Sequence, residues 1–358
     1  MKALILAGGL GSRLRPLTQT GAKQLLPVGN KPIIHYVLEN LAKANITEVG
    51  MIVGTETAVG IEQDLQDGSR WGVNITYLYQ EHPLGLAHCV IVGEEFLQDD
   101  PFVMYLGDNM HRGGIESFAS GFLSSGKTAQ IQLVKIPNPR DFGVAEFNED
   151  GSLKRLVEKP TEPPSDWALT GIYFFQSAII KAAHAIKPSR RGELEITDAI
   201  QWLLDNGFSV GHQKLEGWWK DTGQPADLLE ANILVLQDLE GSVDPSASID
   251  SESQLIGEIQ VGSGVQISGS VIRGPVIIGP GATIKDSFIG ASTSLGAGCV
   301  VTSSEVSCSI IMDGAQVLDL PVAIDWSLIG RDAVVHRGNA RPRALNLVLG
   351  DASNVGLV

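Results

Sequence analysis

The chain reads as an α/β layer fold with a mainly parallel sheet over residues 1–240, a stacked coil of short parallel strands over 241–340, and a tail at 341–358. Three observations predict this. The first part alternates strand-like with helix-like segments. The second part repeats a short apolar step at nearly constant spacing. The composition shifts where one pattern gives way to the other: of 21 aromatics only Phe288 and Trp326 lie beyond residue 241, and Lys285 is the only lysine there.

Taken in order, MKALILAG, EVGMIVG, NITYLYQ, PFVMYLGDN and TAQIQLVKI are rich in Val, Ile and Tyr and read as strands. Between them, KPIIHYVLENLAKAN and LGLAHCVIVGEEFL carry apolar residues at helical spacing. Strand, helix, strand implies crossovers and a largely parallel sheet. In such sheets ligands bind beyond the carboxyl ends of the strands. The glycine-rich segment LAGGLGSRLRPLT and the GDN at residues 107–109 both follow a strand, so both are expected on that edge.

From residue 241 the periodicity changes. VDPSA at 243, VGSGV at 261, IGPGA at 278, LGAGC at 295, IMDGA at 311 and IGRDA at 329 are separated by 18, 17, 17, 16 and 18 residues. A constant period of this size means stacked units, each burying its apolar face on its neighbour. Each step divides into three six-residue sides of a triangular coil. This resembles the left-handed β-helix of hexapeptide-repeat proteins, with a β-sandwich as the competing fold.

Composition removes several functions. The chain is 43% hydrophobic and 19% charged, as expected of a folded globular protein. A net charge of −15 argues against a duplex nucleic-acid partner, which calls for a basic face. MKALILAGG is short for a secretory signal, and no apolar run is long enough to span a bilayer. Cys89, Cys299 and Cys308 lack metal-ligand spacing and suggest buried thiols in a reducing, cytoplasmic setting.

Local basic residues must then do any phosphate binding. Gly8, Gly9, Gly11, Arg13 and Arg15 fall within eight residues. No Lys-Ser or Lys-Thr follows, which excludes a P-loop, and Leu14 stands where a dinucleotide fingerprint needs its third glycine. Glycines allow close backbone approach to an anion, and a guanidinium fork suits phosphoryl oxygens. A polyphosphate held by backbone N–H groups and Arg13 is the reading that remains. Asp108 in LGDN and Asp221 in WWKDTG each follow a strand-like run. Alone, each could be a turn or cap residue. Together, beside a polyphosphate, they suit Mg²⁺, which takes one or two carboxylates plus phosphate oxygens. Lys23, Lys159 and Arg191 are isolated cations in loops, either solvated or in contact with an anion. Glu158 beside Lys159 suits a sugar phosphate, one group taking hydroxyls and the other phosphate. Gly143 in RDFGVAEF allows close approach of a ligand, or marks a bulge.

GGLGSRLRPLT, KQLLPVGNKPI, QEHPLGLA, LGDN, FGVAEF, VEKP, RGELEITD and WWKDTG occur in this order. With them the chain resembles the sugar-1-phosphate nucleotidyltransferases. It is most similar to the thymidylyl-transferring group in its long form, a Rossmann-like catalytic domain followed by a β-helix. The resemblance implies that Gly8, Gly9, Gly11 and Arg13 wrap the triphosphate, with Lys23 also on phosphate. Gln24, Gln80 and Gly85 would serve the nucleotide, the last two reading the pyrimidine edge. Asp108 and Asp221 would bind Mg²⁺. Gly143, Glu158 and Thr170 would border glucose, and Lys159 and Arg191 would hold its phosphate. Phe142 and Leu84 depart from the family, whose members often carry Tyr and Asp at these places.

The implied reaction is attack of a glucose 1-phosphate oxygen on the α-phosphorus of dTTP, with pyrophosphate leaving. The ionised oxygen needs no protein nucleophile, so catalysis is positioning and charge stabilisation by Arg13, Lys23, Lys159 and the metal held by Asp108 and Asp221. A single methyl separates thymine from uracil and discriminates by only about 1–3 kcal/mol, so uridylyl transfer stays open. So do a second, acyl-transferring activity in the β-helix and a non-catalytic regulatory or structural role. A homo-oligomer is expected, with neither nucleic acid nor membrane as partner.

Overall fold

A computed structural model describes residues 1–19 and 21–338, so the tail at 341–358 lies outside the described residues. The chain divides into two compact units, Met1–Asp238 and a second beginning at Leu239.

The first unit is built on a nine-stranded mixed sheet. Its centre is parallel: Asn74–Gln80, Glu48–Gly54, Lys2–Leu6 and Phe102–Leu106 lie side by side in that order. Lys2–Leu6 is buried because it sits between two neighbours and under helices on both faces, which is why KALIL is nearly all apolar. Ile33–Lys43 contributes Ile34, Val37, Leu38 and Leu41 to one core layer, and Leu86–Val92 contributes Ala87, Cys89 and Val90 to the other. The expected helix over 84–97 is divided at Gly93, which packs against Leu4.

Beyond Phe102–Leu106 the direction reverses. Trp167–Phe175 runs antiparallel to it, and antiparallel again to Ala129–Lys135. Gly143–Phe147 and Leu153–Glu158 form a hairpin on this half of the sheet. The five residues between those two strands can close only an antiparallel pair, since a parallel one needs a crossover. The reversal has a consequence for position. The start of Trp167–Phe175, the start of Gly143–Phe147 and the end of Leu153–Glu158 all reach the edge where the parallel strands end.

In the second unit, short parallel strands form three sheets of six, six and five strands. Val243, Val261, Ile278, Leu295, Ile311 and Ile329 occupy successive rungs of one sheet. These are the positions at which the sequence steps by 18, 17, 17, 16 and 18, so each step is one coil of a three-sided parallel β-helix, as the left-handed hexapeptide form requires. Ile, Val and Leu fill the axis. One corner carries a serine ladder. The backbone N–H groups of Ser270, Ser287, Ser304 and Leu320 donate to the hydroxyls of Ser253, Ser270, Ser287 and Ser304. Ser270, Ser287 and Ser304 donate in turn to a carbonyl of their own coil. These buried hydroxyls are thereby satisfied.

Among the described residues no helix is long and apolar enough to cross a membrane, and Cys89, Cys299 and Cys308 are free thiols.

Candidate active site

The site is assembled at the carboxyl edge of the parallel strands. The chain leaves Lys2–Leu6 through Gly8 and Gly9 into a short helical turn, Ser12–Leu14. Gly11 begins that turn at φ 61°. A side chain there would stand 2.8 Å from Lys23 Cβ and 3.1 Å from Thr18 Cγ2, so glycine is needed for both conformation and contact. Thr18 Oγ1 donates to the Gly11 carbonyl at 2.8 Å and closes the loop. Gly9 and Arg13 are exposed on it.

Asp108 and Asp221 stand 113 positions apart in sequence and meet through one pairing. Trp219–Asp221 lies antiparallel to Asn109–His111, with Asp221 opposite Asn109. Thr222 locks the junction, its N–H and hydroxyl both donating to the Asp108 carbonyl at 3.1 and 2.7 Å. The chain then enters the helix Pro225–Leu236, whose start is fixed by Pro225 and a capping box between Gln224 and Asp227.

Lys23 forms an ion pair with Asp108, the two side chains being 12% and 15% exposed. Burial alone would lower the Lys23 ammonium, but Asp108 and then Asp221 hold it above its ordinary value. Burial would raise Asp108, and Lys23 overrides this and holds it low. Asp221 is less fully compensated: Lys23 and Arg13 act to lower it, but less than burial and Asp108 raise it. Burial and the neighbouring Asp108 carboxylate push it up to about 7. Two hard-oxygen donors with an excess of buried negative charge are what Mg²⁺ takes. Among the described residues no group of three or more His, Cys, Asp or Glu side chains forms a metal cluster. The remaining ligands would come from phosphate and water, as Mg²⁺ prefers. The donor set fits that ion.

Gln24, on the turn Lys23–Leu25, is 2% exposed, and its buried Oε1 has no hydrogen-bond partner among the described residues. Gln80 ends its strand beside the glycine loop. Gly85 adopts φ 106°, and a side chain there would stand 2.5 Å from the Leu194 carbonyl oxygen. Backbone hydrogen bonds from Ala87 to Leu194 and from Leu194 to Leu84 tie the two segments together. Its glycine is thus required by packing against RGELE, whatever a ligand asks of it.

On the other side, Gly143 faces Glu158 and Thr197. A side chain at Gly143 would stand 3.4 Å from Glu158 Oε2 and 2.6 Å from Thr197 Cγ2. Thr197 Oγ1 donates to Glu158 Oε2 at 3.0 Å. Burial, then the nearby Glu195, raise the Glu158 carboxyl. Lys159 is exposed at φ 40°, an uncommon conformation for a lysine, with its N–H on the Phe142 carbonyl.

Two expected residues are placed differently from a simple ligand-facing role. Thr170 is fully buried, its hydroxyl directed at Gln132 and its carbonyl accepting from the Trp219 indole at 2.9 Å. Arg191 is held by Glu195 at 2.9 Å, with Glu193 at 3.2 Å and Glu158 at 3.6 Å. Glu195 is 2% exposed, so this pairing anchors the guanidinium strongly. Thr197, which the sequence motifs did not single out, is the hydroxyl beside Glu158; its signal was the ITD that opens the helix Ile196–Asp205.

Known proteins resemble this chain over most of its length. Residues 2–238 match the family described as nucleotidyl transferase. A glucose-1-phosphate thymidylyltransferase of Streptomyces griseus is 47% identical over 353 residues, covering 99% of this chain and 98% of its own. That of Streptomyces antibioticus is 48% identical over 356 residues, covering 99% of each. Among solved structures, a glucose-1-phosphate thymidylyltransferase from Bacillus anthracis in complex with a sucrose superposes with a TM-score of 0.63 at 37% identity. It covers 68% of this chain and 97% of its own.

Proposed function

The chain belongs to the nucleotidyl transferase family, among the glucose-1-phosphate thymidylyltransferases, and on that premise we propose how its residues join dTTP to glucose 1-phosphate. The observation that carries the proposal is the pairing of Asp221 with Asn109, which sets two carboxylates and Lys23 beside the glycine loop.

The backbone of Gly8, Gly9 and Gly11 and the exposed Arg13 receive the triphosphate. Gln24, Gln80 and Gly85 border the nucleotide. Glu158 accepts hydrogen bonds from sugar hydroxyls, and Gly143 and the Thr170 backbone leave room for the ring. Lys159 and the outward edge of Arg191 hold the sugar phosphate and align one of its oxygens behind the α-phosphorus. Asp108 and Asp221 would hold Mg²⁺, and the chemistry that ion would supply there is neutralisation of charge on the phosphoryl groups. Lys23 sits between the carboxylates and the phosphate loop, so it can release Asp108 and turn to phosphate as the negative charge arrives. The attacking oxygen forms its bond to phosphorus as the bond to the pyrophosphate oxygen breaks, and no proton is transferred.

The catalytic part is residues 1–240, and we place the enzyme in the cytoplasm as a homo-oligomer. The test is pyrophosphate release from glucose 1-phosphate and Mg²⁺ with dTTP, UTP, ATP and GTP in parallel. Preference for dTTP supports the reading, and preference for UTP keeps the mechanism with another base. Asp108→Asn and Asp221→Asn should each lower kcat by about a thousandfold or more while the fold persists. Full activity in both would remove the metal assignment.

A further inference from the structure

We infer that His88 is a specificity-positioning residue: it fixes the amide of Gln80 so that Oε1 faces the nucleotide base, selecting bases that carry an imino N–H. This rests on the reading that Gln80 borders the base.

Gln80 ends the strand Asn74–Gln80 at the carboxyl edge, and His88 lies on the helix Leu86–Val92 that follows. Gln80 Nε2 is 2.9 Å from His88 Nδ1. An amide nitrogen only donates, so Nδ1 must be the unprotonated, accepting nitrogen of the ring, and the imidazole proton sits on Nε2. Burial lowers the His88 pKa, in keeping with a neutral ring. The NH₂ end has a second neighbour on the same side. Burial lifts the Cys89 thiol to about 12, and a hydrogen bond from Gln80 acts in the opposite sense.

With its NH₂ end committed, Gln80 presents Oε1 the other way. A side chain placed on Gly8 would stand 3.6 Å from that oxygen, so Oε1 lies against the start of the phosphate loop. Among the described residues no group donates to it. Gln80 is 8% exposed, which leaves the amide little room to turn.

A fixed acceptor distinguishes pyrimidines by their N3. Thymine and uracil carry N3–H there and donate. Cytosine carries a lone pair, which would face the Oε1 lone pairs in a confined place. A freely turning glutamine would serve both, since its two ends are nearly the same shape. The lock on the amide, not the presence of Gln80 alone, therefore sets dTTP against dCTP. It is indifferent to the 5-methyl group and does not separate dTTP from UTP.

The experiment measures kcat/KM for dTTP and dCTP with glucose 1-phosphate and Mg²⁺ in the full chain, with thermal melting to confirm folding. His88→Leu removes the acceptor and should lower the dTTP:dCTP ratio about tenfold, the worth of one net hydrogen bond. His88→Lys offers only donors, turns Oε1 toward itself, and should lower the ratio about a hundredfold. His88→Asn, whose Oδ1 can accept, should restore part of it. A folding defect would lower both rates and leave the ratio alone. Gln80→Leu separates the two layers of the argument. If Gln80→Leu collapses the ratio but folded His88→Leu and His88→Lys keep it, the role of His88 is overturned and the reading of Gln80 stands. If Gln80→Leu leaves the ratio unchanged, Gln80 does not face the base and both fall.

Discussion

Asp221 carries a conflict that function explains and stability does not. Its carboxyl is pushed up to about 7 by burial and by Asp108, whereas an unfolded chain gives it the ordinary aspartate value. The folded state therefore binds this proton more tightly than the unfolded state. The associated stability is fully present below about pH 4 and is lost as pH rises through about 7. Between about pH 5.5 and 8, without metal, the wild-type protein should lose about 2 kcal/mol that Asp221→Asn retains, since about 1.4 kcal/mol attaches to each unit of pH over which the two states differ. Melting both proteins in a chelator at the two pH values checks this. Equal losses in the two would mean that Asp221 is already ionised at the lower pH. The same substitution removes a proposed metal ligand, so a gain in stability accompanied by loss of activity is the expected signature of a site held in a costly state.

At the scale of elements, the edge depends on contacts between segments that sequence reading treats separately. The PLGLA turn and the RGELE segment touch through Gly85 and Leu194, and the helices Leu86–Val92 and Ile196–Asp205 carry His88 and Thr197 away from that contact. Gly85→Ala places a methyl within 2.5 Å of the Leu194 carbonyl oxygen at a backbone angle that L residues avoid. It should cost about 3 kcal/mol and raise KM for both substrates, because on the proposed reading one contact serves the nucleotide side and the sugar side. Steady-state kinetics with either substrate varied checks this, and a rise confined to dTTP would mean the contact does not reach Glu158 and Thr197. The strands around this contact were legible in the sequence because each is a local apolar run. The glycine loop was legible because its glycines and arginines lie within eight residues. Asp108 and Asp221 could be expected at one metal, but the pairing across 113 positions that joins them was not legible in either segment alone. The inward turn of Thr170 toward Gln132 was not either, because alternation in a strand does not reveal a register shift between Leu169 and Tyr173. The antiparallel half of the sheet was missed for a related reason: strand composition does not encode direction.

At the scale of the molecule, every proposed site residue lies in Met1–Asp238, while the β-helix is a repeat in which each coil pairs only with its neighbours. This makes it the most legible part of the chain, since the sequence step and the ladder step are the same number. It also makes the β-helix divisible. Residues 276–292 form one coil, from Val276 to the residue before its rung partner Thr293. Removing all 17 of them would bring Ile267 onto Val301, Ile272 onto Val306 and Val265 onto Cys299. Each of these is an inward residue meeting another inward residue. The serine ladder would close as well, the Ser304 N–H arriving where the Ser287 N–H had donated to the Ser270 hydroxyl. Stability in such arrays is a sum of units and nearest-neighbour interfaces, so losing one unit and one interface should lower the melting temperature without abolishing folding. If the chemistry resides where the site residues lie, kcat with dTTP and glucose 1-phosphate should stay within about twofold of the parent. The deletion of 276–292, checked for retained strand content by circular dichroism and then assayed for pyrophosphate release, decides the matter. A folded shortened chain with kcat reduced more than about tenfold would assign this coil a part in catalysis, whereas an unchanged kcat would confine the β-helix to a role outside the reaction.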